Sequence, residues 1–112
     1  MDVTVDTRGD ISVVAVAGSI DALTAPELTA AFDERVRSGQ VRLVADLSGV
    51  DYTSSAGLRA LLGTMKGART GGGDLRLAGV RDEVNRVLEM SGFTTILKVF
   101  DTVDEAIASF EQ

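Results

Sequence analysis

Short apolar runs alternate with amphipathic segments along this chain, and that alternation restricts the fold more than any other feature. Val3–Thr7 alternates in character, Arg8-Gly9-Asp10 carries turn chemistry, and Ile11–Ala17 is nearly all apolar. These predict an antiparallel hairpin whose second strand lies inside a sheet, left at Gly18-Ser19-Ile20-Asp21. Val41–Leu47, Asp74–Ala78 and Ile96–Phe100 are further runs of buried-strand length. A first helix opens at Thr24-Ala25-Pro26-Glu27, a capping box with proline in the first turn. It shows Leu28, Ala31, Phe32 and Arg35-Val36, and stops at Ser38-Gly39. A second runs from Ser55 to Arg69 and ends at Gly71-Gly72-Gly73; a third is marked by Val84, Val87, Leu88 and Met90 and closed by Gly92. Thr102–Glu105 repeats the capping box and starts a last helix with Val103, Ala106, Ile107 and Phe110 inward.

Strands alternating with helices require crossovers over one mixed sheet. The prediction is one α/β domain over residues 1–112: a mostly parallel sheet of about four to five strands plus the N-terminal hairpin strand, flanked by four helices. Its strand-to-helix loops gather on one edge. Two of them, Gly18–Thr24 and Gly49–Ser55, would bring Asp21 and Ser55 near each other.

Composition narrows the chemistry. The chain has no cysteine and no histidine, which removes disulfides, thiolate sites and the usual general base and metal ligand. Its only lysines, Lys66 and Lys98, have no motif around them, and the glycine triplet lacks the Gly-Lys-Ser/Thr of a phosphate loop. Asp46 ends the third strand, but an acyl-phosphate receiver also needs an acidic pair and a late lysine. Asp21, Asp46 and Asp51 are carboxylates scattered on loops, weak grounds for a metal site. The expectation is a protein without enzymatic activity, cofactor or metal. A net charge of −6 argues against nucleic acid and anionic membranes and suits a protein partner with a basic face. No signal peptide and no apolar run of spanning length are read, so the expected location is cytoplasmic and the expected state a monomer or weak dimer.

The most informative stretch is Asp46-Leu-Ser-Gly-Val-Asp-Tyr-Thr-Ser-Ser-Ala-Gly-Leu-Arg-Ala-Leu-Leu62. Leu58, Leu61, Leu62 and Met65 form the apolar stripe of a helix. At about 100° per residue, Ser54 points into that stripe, while Ser55 lies roughly 70° from its centre, one turn before Arg59. A helix start suits either a capping hydroxyl or an anion. Either serine can be a simple N-cap, and Ser55 can also be a phosphorylation site that leaves the helix intact.

These residues resemble the STAS family in its single-domain anti-anti-sigma-factor form. The likeness runs along essentially the whole chain, through Gly18-Ser-Ile-Asp21-Ala-Leu-Thr-Ala25, the switch motif from Asp46 to Leu58, and Met90-Ser91-Gly92-Phe93. The resemblance implies binding to an anti-sigma factor of the histidine-kinase-like ATPase fold that is also a serine kinase. Phosphorylation breaks that complex, and a PP2C-type phosphatase restores it. The family's phosphorylated serine falls on Ser55 and its loop aspartate on Asp21; the expected partner-binding set is Asp21, Thr24, Ser54, Ser55, Ala56, Gly57 and Arg59. Many members have Asp before the serine and Ser or Thr after it, where this chain has Ser54 and Ala56. A second expectation is a non-switching STAS scaffold, such as a subunit of a lipid-transport ABC system, in which Ser55 is only a cap.

Overall fold

A computed structural model describes residues 1–111. The chain forms β1 (Asp2–Arg8), β2 (Ile11–Ile20), α1 (Ala25–Arg37), β3 (Arg42–Thr53), α2 (Ser55–Thr70), β4 (Asp74–Ala78), α3 (Asp82–Met90), a 3-10 turn at Phe93–Thr95, β5 (Lys98–Phe100) and α4 (Val103–Ser109). The strands lie in sequence order, β1-β2-β3-β4-β5. β1 is antiparallel to β2, and the other pairs are parallel. The predicted hairpin strand is thus one of five.

Because each crossover moves one strand further in the same direction, crossovers of one hand put α1, α2 and α3 on a single face. Leu28 and Phe32 of α1, Leu61 and Met65 of α2, and Val84 and Leu88 of α3 share a core with Val14, Leu43 and Leu77. The alternate strand residues Val13, Val44 and Ala78 point the other way and meet Ala106, Ile107 and Phe110 of α4. Val13 and Val14, Leu43 and Val44, and Leu77 and Ala78 are neighbours in sequence on opposite faces, as the two-residue period of a strand demands. Every element needed for two cores is therefore present in the alternation.

Several expected boundaries move. β2 continues through Ile20 instead of leaving at Gly18, and β3 continues to Thr53 instead of ending near Asp46. The glycines there mark irregular pairing, not exits. Ala15 pairs with Asp46 but Ala17 with Gly49, and Gly18 pairs with Val50 but Ser19 with Tyr52. β3 thus carries an extra residue at each step, which bends the pair without ending it. At Gly49 a Cβ would sit 2.9 Å from the Ala17 Cβ, so the strands close up only around glycine. β5 starts at Lys98 because Ile96 belongs to the turn before it and Leu97 is buried ahead of the strand. Met90, expected to mark the buried side of α3, is 83% exposed.

The end of the molecule away from the Ser55 edge is tied by one carboxylate. Asp74, 7% exposed, accepts from Arg69 Nε at 2.9 Å and from Arg76 Nε at 3.1 Å. Arg69 also donates to the Ile96 carbonyl oxygen at 2.7 Å. Arg76 donates to Ser109 Oγ at 2.7 Å, its guanidinium 4.0 Å from the Phe110 ring centre. The last turn of α2, the start of β4 and the end of α4 are fastened together.

Candidate functional site

The parallel pair β2–β3 ends with Ile20 opposite Thr53. One residue on, the Ser54 N–H donates to the Ile20 carbonyl oxygen at 2.8 Å. Asp21 and Ser55 are the next residues out on either side of one edge, although Gly18–Ile20 and Gly49–Thr53, expected as parts of loops, are the paired ends of β2 and β3.

The loop before α1 is built around the Asp21 carboxylate. Its Oδ1 accepts the Leu23 N–H at 2.9 Å and the Thr24 N–H at 3.0 Å. The Thr24 hydroxyl accepts the Asp21 N–H at 2.9 Å, and its proton is shared between the Ser19 carbonyl oxygen at 3.0 Å and Asp21 Oδ1 at 3.2 Å. The Ala25 N–H closes onto the Asp21 carbonyl oxygen at 2.8 Å. This corrects the capping box expected at Thr24–Glu27: Thr24 occupies the N-cap position, but its side chain caps nothing in the helix. The Thr24 backbone is helical (φ −98°, ψ −23°) rather than extended as a capping residue is, and its hydroxyl is turned back to Asp21 and Ser19. Donation from the Thr24 and then the Leu23 backbone N–H holds the Asp21 carboxyl below the ordinary aspartate value, partly opposed by burial. At neutral pH Asp21 is a fixed negative charge.

The junction before α2 is arranged differently. Ser54 is extended (φ −98°, ψ 176°) at the N-cap position, yet its hydroxyl makes no capping bond. Its Oγ is buried without a hydrogen-bond partner among the described residues. The simple-cap expectation therefore fails for Ser54, whose inward direction is the one read from helical spacing. Ser55, the first helical residue, is exposed. Ala56 is half-buried and Gly57 buried. A Cβ on Gly57 would land on Thr53 Oγ1 and come within 2.8 Å of Ile20 Cγ2, so glycine lets α2 start flush against the strand ends. The first turn of α2 contains no acidic residue, whereas those of α1, α3 and α4 do. Arg59, one turn beyond Ser55, is exposed and forms no ion pair among the described residues.

Between α1 and α2 runs a groove of about 850 Å³, walled mainly by small residues such as Ala22, Ala25, Ala56 and Ala60, with Arg59 at its side. All seven residues expected on a partner face lie along this edge. Ser55 and Arg59 are exposed, Asp21 and Thr24 half-buried, and Ser54, Ala56 and Gly57 shape the backbone beneath. Two exposed apolar residues were missed, Leu23 at 90% and Tyr52 at 55%. The signal for Leu23 was available: it is a large apolar residue in a polar loop, off the stripe that starts at Ala25 and Leu28. Asp46 lies within β3 and accepts the Ser48 N–H at 3.1 Å, while Asp51 accepts from Ser19 Oγ at 3.0 Å. No group of three or more potential metal-binding side chains occurs among the described residues, and no helix there is long and apolar enough to cross a membrane.

Comparison with known proteins adds to this geometry. The family model for the STAS domain matches residues 2–106. BtrV of Bordetella bronchiseptica, described as an anti-sigma factor antagonist, is 34% identical over 111 residues, covering 99% of this chain and 96% of its own. The anti-sigma-B factor antagonist of Listeria monocytogenes is 38% identical over 85 residues, 75% of this chain and 74% of its own. Among solved structures, an anti-sigma factor antagonist from Mycobacterium paratuberculosis superposes with a TM-score of 0.90 at 28% identity, over 99% of this chain and 94% of that one.

Proposed function

This chain belongs to the STAS domain family, among its anti-sigma factor antagonists, and from that membership we propose that it works as a partner switch. In its unphosphorylated form it binds an anti-sigma factor that is also a serine kinase of the histidine-kinase-like ATPase fold, and so releases a sigma factor. Phosphorylation of Ser55 ends the complex, and a PP2C-type phosphatase resets it. The observation that carries this reading is the exposure of Ser55 at the first position of α2, on the edge it shares with the ionised Asp21.

The mechanism is electrostatic. A phosphate adds roughly −1.5 to −2 charge at neutral pH. The helix start tolerates that charge, because free backbone N–H groups and the aligned peptide dipoles favour it. A partner surface shaped for a neutral hydroxyl beside a carboxylate does not: it meets a second anion that must be stripped of water. Binding is lost while the fold stays as it is.

Intact mass and peptide mapping after incubation with ATP and a lysate of the source cells test the reading. One phosphate, on Ser55 and removed by a PP2C-type phosphatase, is the expected result, with Ser55→Ala binding the kinase constitutively and Ser55→Asp binding it poorly. No phosphate, together with a phosphatase-insensitive complex with an ABC-type ATPase, would replace the switch by a permanent scaffold.

A further inference from the structure

The most exposed large apolar side chain at the Ser55 edge is Leu23, at 90%. Exposure of a leucine in a loose loop would mean little. Here the loop is tied: the residue's own N–H is bound to Asp21 Oδ1 at 2.9 Å, and Thr24 beside it is held to Asp21 and to the Ser19 carbonyl oxygen. The backbone on both sides is fixed by bonds that leave the leucine side chain with no role inside the molecule. α1 draws its buried residues from Ala25, Leu28 and Phe32 instead.

The surroundings define what covers it. Acidic groups outnumber basic ones on this edge: Asp21, the exposed Glu27 in the first turn of α1, and the exposed Asp51, which accepts from the Ser19 hydroxyl, stand against the exposed Arg59 one turn into α2. An apolar tip on a mainly acidic edge fits a surface of the opposite character, a leucine-sized apolar pocket bordered mainly by lysine or arginine. We propose that Leu23 is the apolar anchor by which this chain engages such a pocket on its anti-sigma factor, and that Asp21 is a positioning residue that holds the anchor out. The inference rests on the partner-switch reading and sharpens it. Ser55 decides whether the complex forms, and Leu23 supplies affinity and partner choice.

Two pairs of substitutions separate anchor from charge. Removing most of a leucine side chain from a buried contact weakens binding by about ten- to a hundredfold. Leu23→Ala should therefore raise Kd by about tenfold or more, and Leu23→Met, which keeps the volume, by no more than about threefold. Asp21→Asn keeps an oxygen that accepts both N–H groups, whereas Asp21→Ala opens the turn. The asparagine variant should stay within about fivefold of wild type, the usual scale of one exposed charge, and the alanine variant should fall with Leu23→Ala.

The experiment is calorimetric titration of the full unphosphorylated chain against each purified anti-sigma factor kinase of its own cell at physiological salt. The Leu23 and Thr24 amide resonances report whether the turn is intact. If Leu23→Ala binds within about twofold of wild type while Ser55→Asp remains weak, the anchor is overturned and the switch stands. If Asp21→Asn weakens binding as much as Asp21→Ala while its amide resonances are unmoved, Asp21 acts by charge and its positioning role falls. If none of these kinases binds the wild-type chain, the switch and the anchor fall together.

Discussion

The starts of α1 and α2 stand side by side on one edge, follow neighbouring parallel strands, and are finished in opposite ways. Before α1, one carboxylate and one hydroxyl use each other and the loop backbone, and Glu27 follows in the first turn. Before α2, the Ser54 hydroxyl is buried without a partner, the first turn has no acid, and a serine faces solvent. The first junction is electrostatically complete and acts as a fixed landmark. The second is incomplete, so a charge added at Ser55 meets no carboxylate within its own first turn and can be accommodated by the helix that carries it. Two helix starts side by side in one fold are thus finished differently, one closed by its own side chains and one left open.

The largest expected effect comes from the glycine that brings the two junctions together. Gly57→Ala places a methyl on Thr53 and Ile20 and should destabilise the protein by about 1–3 kcal/mol, read from urea unfolding; no loss would mean that α2 can lift away without penalty. The completed junction should be sensitive to its hydroxyl: Thr24→Val leaves the Asp21 N–H without its acceptor and should cost about 1 kcal/mol. The incomplete one should respond with the opposite sign. Replacing an N-cap serine by alanine ordinarily costs about 1 kcal/mol. Ser54→Ala should instead be neutral or stabilise by up to about 1 kcal/mol, since it removes a buried hydroxyl that bonds nothing. A loss of ordinary N-cap size in the same unfolding assay would show that Ser54 caps after all and would erase the contrast.

Smaller still is the effect of charge on folding. Ser55→Asp puts an anion at the start of α2 and should add about 0.3–1 kcal/mol at low salt. A loss of stability there would mean that an anion at Ser55 acts by loosening the helix. The smallest effect is acid sensitivity of the α1 junction. The Asp21 carboxyl lies below its ordinary value when folded, so its contribution is fully present above the unfolded value of about 3.9. It disappears as pH falls through the lower folded value. The Leu23 and Thr24 amide resonances should stay constant from neutral pH to about 5 and shift only below about 4. A shift near neutral pH would mean that the turn is not held by this carboxylate.

Much of this architecture could be read from local pattern. β4 coincides with its apolar run, and α2 starts at Ser55 and ends one residue past the expected Arg69. The contrast between Ser54 and Ser55 follows from helical spacing alone. What escaped depends on partners distant in sequence. Gly18 and Gly49 carry the punctuation of strand ends, and only the neighbouring strand reveals that they accommodate irregular pairing. Asp21-x-x-Thr24 and Thr24-x-x-Glu27 are both legible, and which one forms depends on the backbone angles with which the chain leaves β2. By contrast, Thr102 does cap its helix, accepting the Glu105 N–H at 3.1 Å. Leu23 escaped because a lone apolar residue in a loop has no period to betray it.

The knot around Asp74 has a mechanical consequence. With Arg69 bound to Asp74 and Ile96, and Arg76 bound to Asp74 and Ser109, α2 is held like a beam clamped at its far end. Sliding or tilting the helix would have to break the Arg69 bonds to Asp74 and to the Ile96 carbonyl oxygen. A phosphate at Ser55, as proposed above, would therefore be read at the surface that carries it, with the far end of α2 still tied as described.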